Sequence, residues 1–196
     1  MRQEERFCRS YTTERLYLKI LDESNATEVL TFLNRGADTF ERVESKKPAD
    51  FYTHGTQKKL LNAEYHLATQ KTGVRFWIYR KEKPGEIIGT ISFSFYKVAP
   101  FRSIMVGYKL LPEFWHHGYA SEALKAAINI VAAVMRVARI EAYVLPDNQP
   151  SQKLLTRVGF RLEGTAYQCL EVKGVRRDHL QYGYVVPGDI RGNSGN

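Results

Sequence analysis

The residues best suited to hold an anion are the run Trp115-His116-His117-Gly118-Tyr119-Ala120-Ser121-Glu122. An apolar run ending in Pro112 precedes it, and an Ala/Leu/Ile/Val-rich run, residues 123–134, follows it. This pattern predicts a strand, a turn containing a glycine, and the start of a helix. The first amides of a helix have no intrahelical partner and sit at the positive end of its dipole. A phosphate can therefore rest against bare backbone N–H groups there. Gly118 lets that backbone approach a ligand, and Ala120 and Ser121 add little bulk. The adjacent His116 and His117 could line the same site and gain charge below about pH 6.5. They do not make a metal site, because no third ligand is apparent at useful spacing.

The rest of the chain must position this turn. At 196 residues it suits one domain with a real core. The predicted boundaries are a lead at residues 1–12, the domain at 13–186, and a Gly/Asn/Ser-rich tail at 187–196. The net charge of +8 favours anionic partners, such as a nucleotide-bearing ligand, an acidic protein or a ribosomal surface. No run of five or six basic residues marks a nucleic-acid arm, and no direct nucleic-acid binding is expected. Two cysteines, Cys8 and Cys169, are too few for a disulfide framework and fit a reduced cytoplasmic setting. The first residues are charged and polar, unlike a signal peptide. The longest apolar stretch, residues 126–134, is too short to span a bilayer.

Periodicity predicts a strand at 13–21 and a helix at 26–34 closed by Gly36. A short helix at 40–45 and a helix at 56–70 follow. The period then falls to two. Strands are predicted at 74–80, 86–96 and 103–110 as an antiparallel meander, with Pro84-Gly85 in the first turn. The helix after residue 118 shows one narrow polar stripe, Ser121, Glu122, Lys125 and Asn129. A strand at 140–145 follows and suggests a parallel pair with 103–110. Ser151 is expected to cap a short helix that ends at Gly159. Strands at 160–172 and 175–186 complete the chain.

This order resembles the Gcn5-related N-acetyltransferases, the GNAT superfamily. Residues 115–120 are similar to the acetyl-CoA motif Gln/Arg-x-x-Gly-x-Gly/Ala, with Trp115 in the first place and His116 where a small residue, usually glycine, is common. The run Asn148-Gln149-Pro150-Ser151, with Gly159-Phe160 downstream, looks like the family's Asn-x-x-Ser/Ala…Gly-Phe block. Ser121-Glu122-Ala123-Leu124 and Glu163-Gly164 are similar to the RimJ/RimL branch, whose named members acetylate ribosomal-protein N-termini. The fold implied is α/β (α+β). It is a single mixed, mostly antiparallel twisted sheet of about seven strands, with helices on both faces and a V-shaped split between two central parallel strands.

The resemblance also implies site residues. The backbone of His116, His117, Gly118, Tyr119, Ala120 and Ser121 would hold the pyrophosphate of acetyl-CoA. A backbone N–H in the span Tyr108 to Leu110 would meet the thioester carbonyl, and Asn148 and Ser151 would serve the cofactor arm. Direct attack by an amine needs a base for its proton, a donor for the developing oxyanion and an acid for the thiolate. The resemblance assigns the base to Glu171, with Asp178 matching an acidic residue downstream, and the acid to Ser151. Glu113 and Glu163 are poorer bases, and Tyr167 and Tyr182 are weaker acids. Cys169, two residues from Glu171, either faces the site or is a buried, inert thiol. No metal is expected.

The reading is an acetyl-CoA-dependent N-acetyltransferase acting on a primary amine, with a protein N-terminus as one acceptor. Polyamine, antibiotic or amino-acid acetylation, and a non-catalytic acyl-CoA-binding regulatory module, stay open at this point. So does a homodimer. The acceptor walls are expected from residues 34–60 and the loops at 98–102 and 173–177, the least patterned parts of the chain.

Overall fold

The structure, a computed structural model, describes residues 6–188. Residues 1–5 of the expected lead and 189–196 of the expected tail lie outside the described residues. The elements run β1 (Ser10–Thr12), β2 (Leu16–Lys19), α1 (Ala26–Phe40), α2 (His54–Thr69), β3 (Val74–Arg80), β4 (Lys83–Lys97) and β5 (Ser103–Leu110). They continue α3 (Tyr119–Met135), β6 (Arg139–Val144), α4 (Gln149–Val158), β7 (Arg161–Val172) and β8 (Val175–Val185). One eight-stranded sheet has the order β1-β2-β3-β4-β5-β6-β8-β7. The eighth strand is β1, in a segment expected to be part of the lead. It pairs antiparallel with β2, and Phe7 and Tyr11 pack edge-on against buried Phe76.

Alternation along the strands sorts side chains onto two faces. Phe76 and Ile78 of β3, with Ile104 and Val106 of β5, join the core under α3 and α4, where Ala123, Ala127, Val131 and Leu155 are buried. Trp77 and Tyr79 turn the other way, toward Val29, Phe32 and Leu33 of α1 and Leu61 of α2. Helices thus cover both faces, as expected. We call the first the α3 face and the second the α1/α2 face.

Every strand pairs antiparallel except one neighbouring pair. β5 and β6 run parallel, in register only at Ser103↔Arg139, Ile104↔Ile140 and Met105↔Glu141. β5 continues to Leu110 and β6 to Val144 without further pairing to each other. This is the V-shaped split.

Three local expectations change. Gly36 does not close α1, which runs on to Phe40. Gly36 is buried, and a Cβ there would collide with the Phe40 ring. The glycine is a packing site inside the helix, and the separate helix at 40–45 is a turn instead. Ser151 does not cap α4. Asn148 does, its Oδ1 accepting the Ser151 N–H at 3.3 Å. Pro84 and Gly85 lie within β4, and the turn is carried by Lys81 and Glu82.

Candidate active site

The turn before α3 is built as the residue types require. Gly118 is its N-cap, with φ +80, a left-handed conformation that a side chain disfavours. The first intrahelical bond runs from Glu122 N–H to Gly118 O at 3.1 Å. The amides of Tyr119, Ala120 and Ser121 precede it in the first turn. His116 also lies in the left-handed region, at φ +64, which explains why glycine is common at that place. The His117 ring stacks on Tyr119, 5° from parallel, and its Nδ1 lies 2.8 Å from the Trp115 carbonyl. Trp115 in turn donates its indole N–H to Leu110 O at 2.8 Å, tying the turn to the end of β5.

Arg15 was not legible as a site residue. Its Nη1 donates to His117 O at 2.9 Å, and its Nε and Glu122 Oε2 stand 2.7 Å apart. It thereby sets a cation beside the cradle. Thr13 Oγ1 and the Arg15 backbone N–H also donate to Glu122. Burial opposes ionisation of Glu122, yet these bonds outweigh it and hold its pKa below the usual value. The signal was indirect, since Glu122 on the polar stripe needed a partner and β2 begins one residue after Arg15.

A cavity of about 430 Å3 opens at the split. Val106, Gly107, Tyr108 and Lys109 of β5 line it on one side, and Ala142, Tyr143 and Val144 of β6 on the other. Leu111 N–H bonds Ile88 O on β4. Strand alternation then turns the peptide groups of Tyr108 and Leu110 away from β4, toward the split. The Leu110 carbonyl, held by Trp115, agrees with that direction. Tyr108 and Ser151 meet here, with hydroxyl oxygens 2.6 Å apart. Burial pushes the Tyr108 phenol above its ordinary value, against the opposing pull of the Ser151 bond. It stays protonated at neutral pH, and either hydroxyl of the pair can be the donor.

The α1/α2 side of the same cavity is ionic. Glu44 holds Lys109 at 2.8 Å and Lys47 at 2.9 Å, and Glu64 holds Arg75 at 2.7 Å. Burial raises the Glu44 pKa, but the two lysines outweigh it and keep the net shift downward. Burial draws Lys109 below its usual value despite Glu44. The roof is residues 41–53, clipped to the β7–β8 hairpin by Ser45 Oγ to Glu171 O at 2.8 Å and by Lys173 N to Glu44 O at 3.1 Å. Residues of the 34–60 span line this cavity, and their charges were not legible in the sequence.

The structure brings Tyr108, Lys109, Asn148 and Ser151 together around one cavity and leaves other candidates outside it. Glu171 is exposed and is not among the lining residues. It pairs with Arg176 in the hairpin ladder, and its backbone carbonyl fastens Ser45. Glu163 is engaged by Arg139, and Glu113 by Arg35 at 2.6 Å. Tyr167 is exposed, whereas Tyr182 is buried in the core under α3 and α4. Asp178 accepts the Gln168 N–H at 2.8 Å, across the irregularity in β7. Cys169 is half-buried in β7. Among the described residues, no group of His, Cys, Asp and Glu is placed to hold a metal, and no helix is long and apolar enough to cross a membrane.

Residues 15–161 match the family described as Acetyltransferase (GNAT) domain. The [Ribosomal protein uS5]-alanine N-acetyltransferase of Escherichia coli is 28% identical over 178 residues, 90% of each chain. The ribosomal-protein-S5-alanine acetyltransferase of Vibrio fischeri superposes with a TM-score of 0.85 at 26% identity, covering 91% of this chain and 97% of that one. RimJ of Mycobacterium smegmatis, solved in complex with CoA-disulfide, shares the fold at a TM-score of 0.82 and 23% identity, over 90% and 87% of the two chains.

Proposed function

Because this chain belongs to the GNAT family of acetyltransferases, we propose that it transfers the acetyl group of acetyl-CoA to the free amine of a protein N-terminus, of the kind ribosomal proteins carry. The observation that supports this reading is the split. The ends of β5 and β6, which do not pair with each other, open one cavity that meets the Tyr108–Ser151 pair and also the α1/α2 face. A thioester donor on one face and an amine acceptor on the other can meet only through such an opening.

Acetyl-CoA supplies an activated acetyl thioester, and this chain's residues do the rest. The amides of the 116–121 turn, Gly118 and Arg15 suit a pyrophosphate. The Tyr108 and Leu110 peptide groups, turned into the split, offer N–H donors to the carbonyl oxygen as it gains charge. Ser151 presents its hydroxyl to the departing sulfur, with the Tyr108 hydroxyl 2.6 Å away to share the proton. Asn148 fixes the backbone of Ser151 and so sets where that hydroxyl stands. The acting unit is residues 13–186 together with the β1 edge, working in the cytoplasm.

The relatives of the two ribosomal-protein names span nearly the whole chain, which favours a peptide N-terminus over a free polyamine. Side-by-side release of free thiol with N-terminal peptides, polyamines and amino acids tests it. Peptides beginning with alanine or serine are expected to turn over fastest. Faster turnover of a polyamine or a free amino acid overturns the acceptor assignment. Tight acetyl-CoA binding with no turnover of any amine would overturn the enzymatic one.

A further inference from the structure

We propose that His179 is the base that takes the proton from the acceptor amine, an inference that rests on the acetyl-transfer reading above. His179 stands on β8, is 4% exposed and lines the cavity at the split. Its Nδ1 lies 3.0 Å from the Arg177 carbonyl oxygen. Only an N–H can bond a carbonyl, so the ring proton of the neutral form sits on Nδ1. Nε2 is then the nitrogen with the free lone pair, and the ring is held in orientation by its other end.

The side of the sheet matters as much as the tautomer. Leu180 and Tyr182 of β8 pack into the core under α3 and α4. Alternation turns His179 the other way, onto the face that carries Lys109 and Tyr143. That is the face on which the amine arrives when the donor lies against Ser151. Cross-strand partners share a face, so Glu171 points with Arg176, opposite in sense to His179. Val172, the next residue, is buried, in keeping with that alternation. The groups facing this part of the cavity are Glu44 and Lys47 above β5, Glu64 on α2, Arg75 on β3, Lys109 on β5 and Tyr143 on β6. Both carboxylates are held by cations, Glu44 by Lys47 and Lys109 and Glu64 by Arg75. The lysines hold the Glu44 pKa down, which makes it a poor proton acceptor.

In the step, the amine nitrogen forms a bond to the acetyl carbon and the carbon–sulfur bond breaks. The proton released from nitrogen goes to His179 Nε2. The sulfur receives a proton from the Ser151 side, and both sites return to their starting states through solvent. The products are an amide and a free thiol.

The test uses the full chain with acetyl-CoA and an alanine-initiated peptide, reading free thiol across pH. His179→Asn keeps an N–H that can reach the Arg177 carbonyl but offers no base. We expect its kcat to fall about 100-fold or more, with the acetyl-CoA KM unchanged. The acid-side fall of the wild-type rate is expected to flatten in it. His179→Gln is the second variant, and thermal unfolding with coenzyme A binding reports whether either is folded. Wild-type kcat in a folded His179 variant overturns the proposal. So does an acid-side fall that persists in His179→Asn and disappears in Glu171→Gln. A wild type that turns over no amine removes the acetyl-transfer reading and the base together, whereas turnover by the wild type isolates the question at His179.

Discussion

On the α3 face, the donor half that we propose comes from two short runs of chain. Residues 108–122 supply the β5 end, the Trp115 tie and the cradle, and residues 148–151 supply Asn148 and Ser151. On the α1/α2 face, the acceptor half that we propose would be assembled from Glu44, Glu64, Arg75, Lys109, Tyr143 and His179, each from a different stretch of chain. The donor half works largely through backbone amides and a helix terminus, which depend on local sequence. The acceptor half works through side chains that meet only because the sheet splits. The first arrangement is portable and, on the proposed reading, serves one ligand, acetyl-CoA. The second can be rebuilt residue by residue, and that is where specificity for one amine over another must be written.

Substitutions at the junction of the two halves should cost the most. Ser151→Ala removes the hydroxyl and leaves the backbone N–H that Asn148 holds, so α4 keeps its cap. We expect kcat to drop about 100-fold with little change in acetyl-CoA KM, read by free-thiol release. A variant with wild-type kcat takes Ser151 out of the chemistry. Within the donor half, Gly118→Val forces a β-branched residue to φ +80, where a Cβ would already stand 3.3 Å from Arg15 Nη2. Acetyl-CoA KM should rise about tenfold, since backbone strain of about 1–3 kcal/mol falls on the cradle. The acceptor KM should not move. A change in both constants would show that the two halves are not separable in this way.

Within the acceptor half, Lys109→Met leaves Glu44 with Lys47 alone in a partly buried site. The expected loss is about 2 kcal/mol of stability, smaller than for a fully orphaned buried charge. Chemical denaturation measures it. The same variant should raise the acceptor KM and spare that of acetyl-CoA. The reverse pattern would assign Lys109 to the donor side.

The same division explains what could be read from the residues in advance. The strands at 74–80 and 103–110 and the Gly118 turn follow from alternation, glycine and helix-start chemistry, which are local, whereas the split was implied only by the family resemblance. Ser151 and Asn148 were placed by a motif of contiguous residues, although the cap belongs to Asn148. Gly36 misled because glycine usually ends helices, and only the Phe40 ring one turn on explains its position. His179 was invisible. A histidine in an alternating strand carries no signal until β8 is known to flank β6 and its partner carbonyl is seen. Arg15 lay just ahead of a strand, and its tie to Glu122 spans 107 residues of chain.

Glu122 offers the subtlest separation of the halves, through pH. Thr13 and Arg15 hold its folded pKa below the ordinary carboxylate value, in spite of its burial. A depressed folded pKa means the unfolded chain binds the proton more readily. The contribution to stability is therefore complete above the unfolded value, near about 4.3, and is lost as pH falls through that value toward the lower folded one. Glu122→Gln should lower Tm at pH 7, and the gap from wild type should close below about pH 4. Because the Arg15 tie also holds the His117 carbonyl, the variant should weaken acetyl-CoA binding at neutral pH by a few-fold and leave the acceptor KM alone. Glu44 titrates in the same direction, for the analogous reason, on the acceptor face. Lys109→Met should therefore leave the pH-dependent Tm gap of Glu122→Gln intact if the two carboxylates are independent. Its disappearance in the double variant would mean that the cradle and the ionic wall are coupled through β5, and that acetyl-CoA binding is felt by the acceptor pocket.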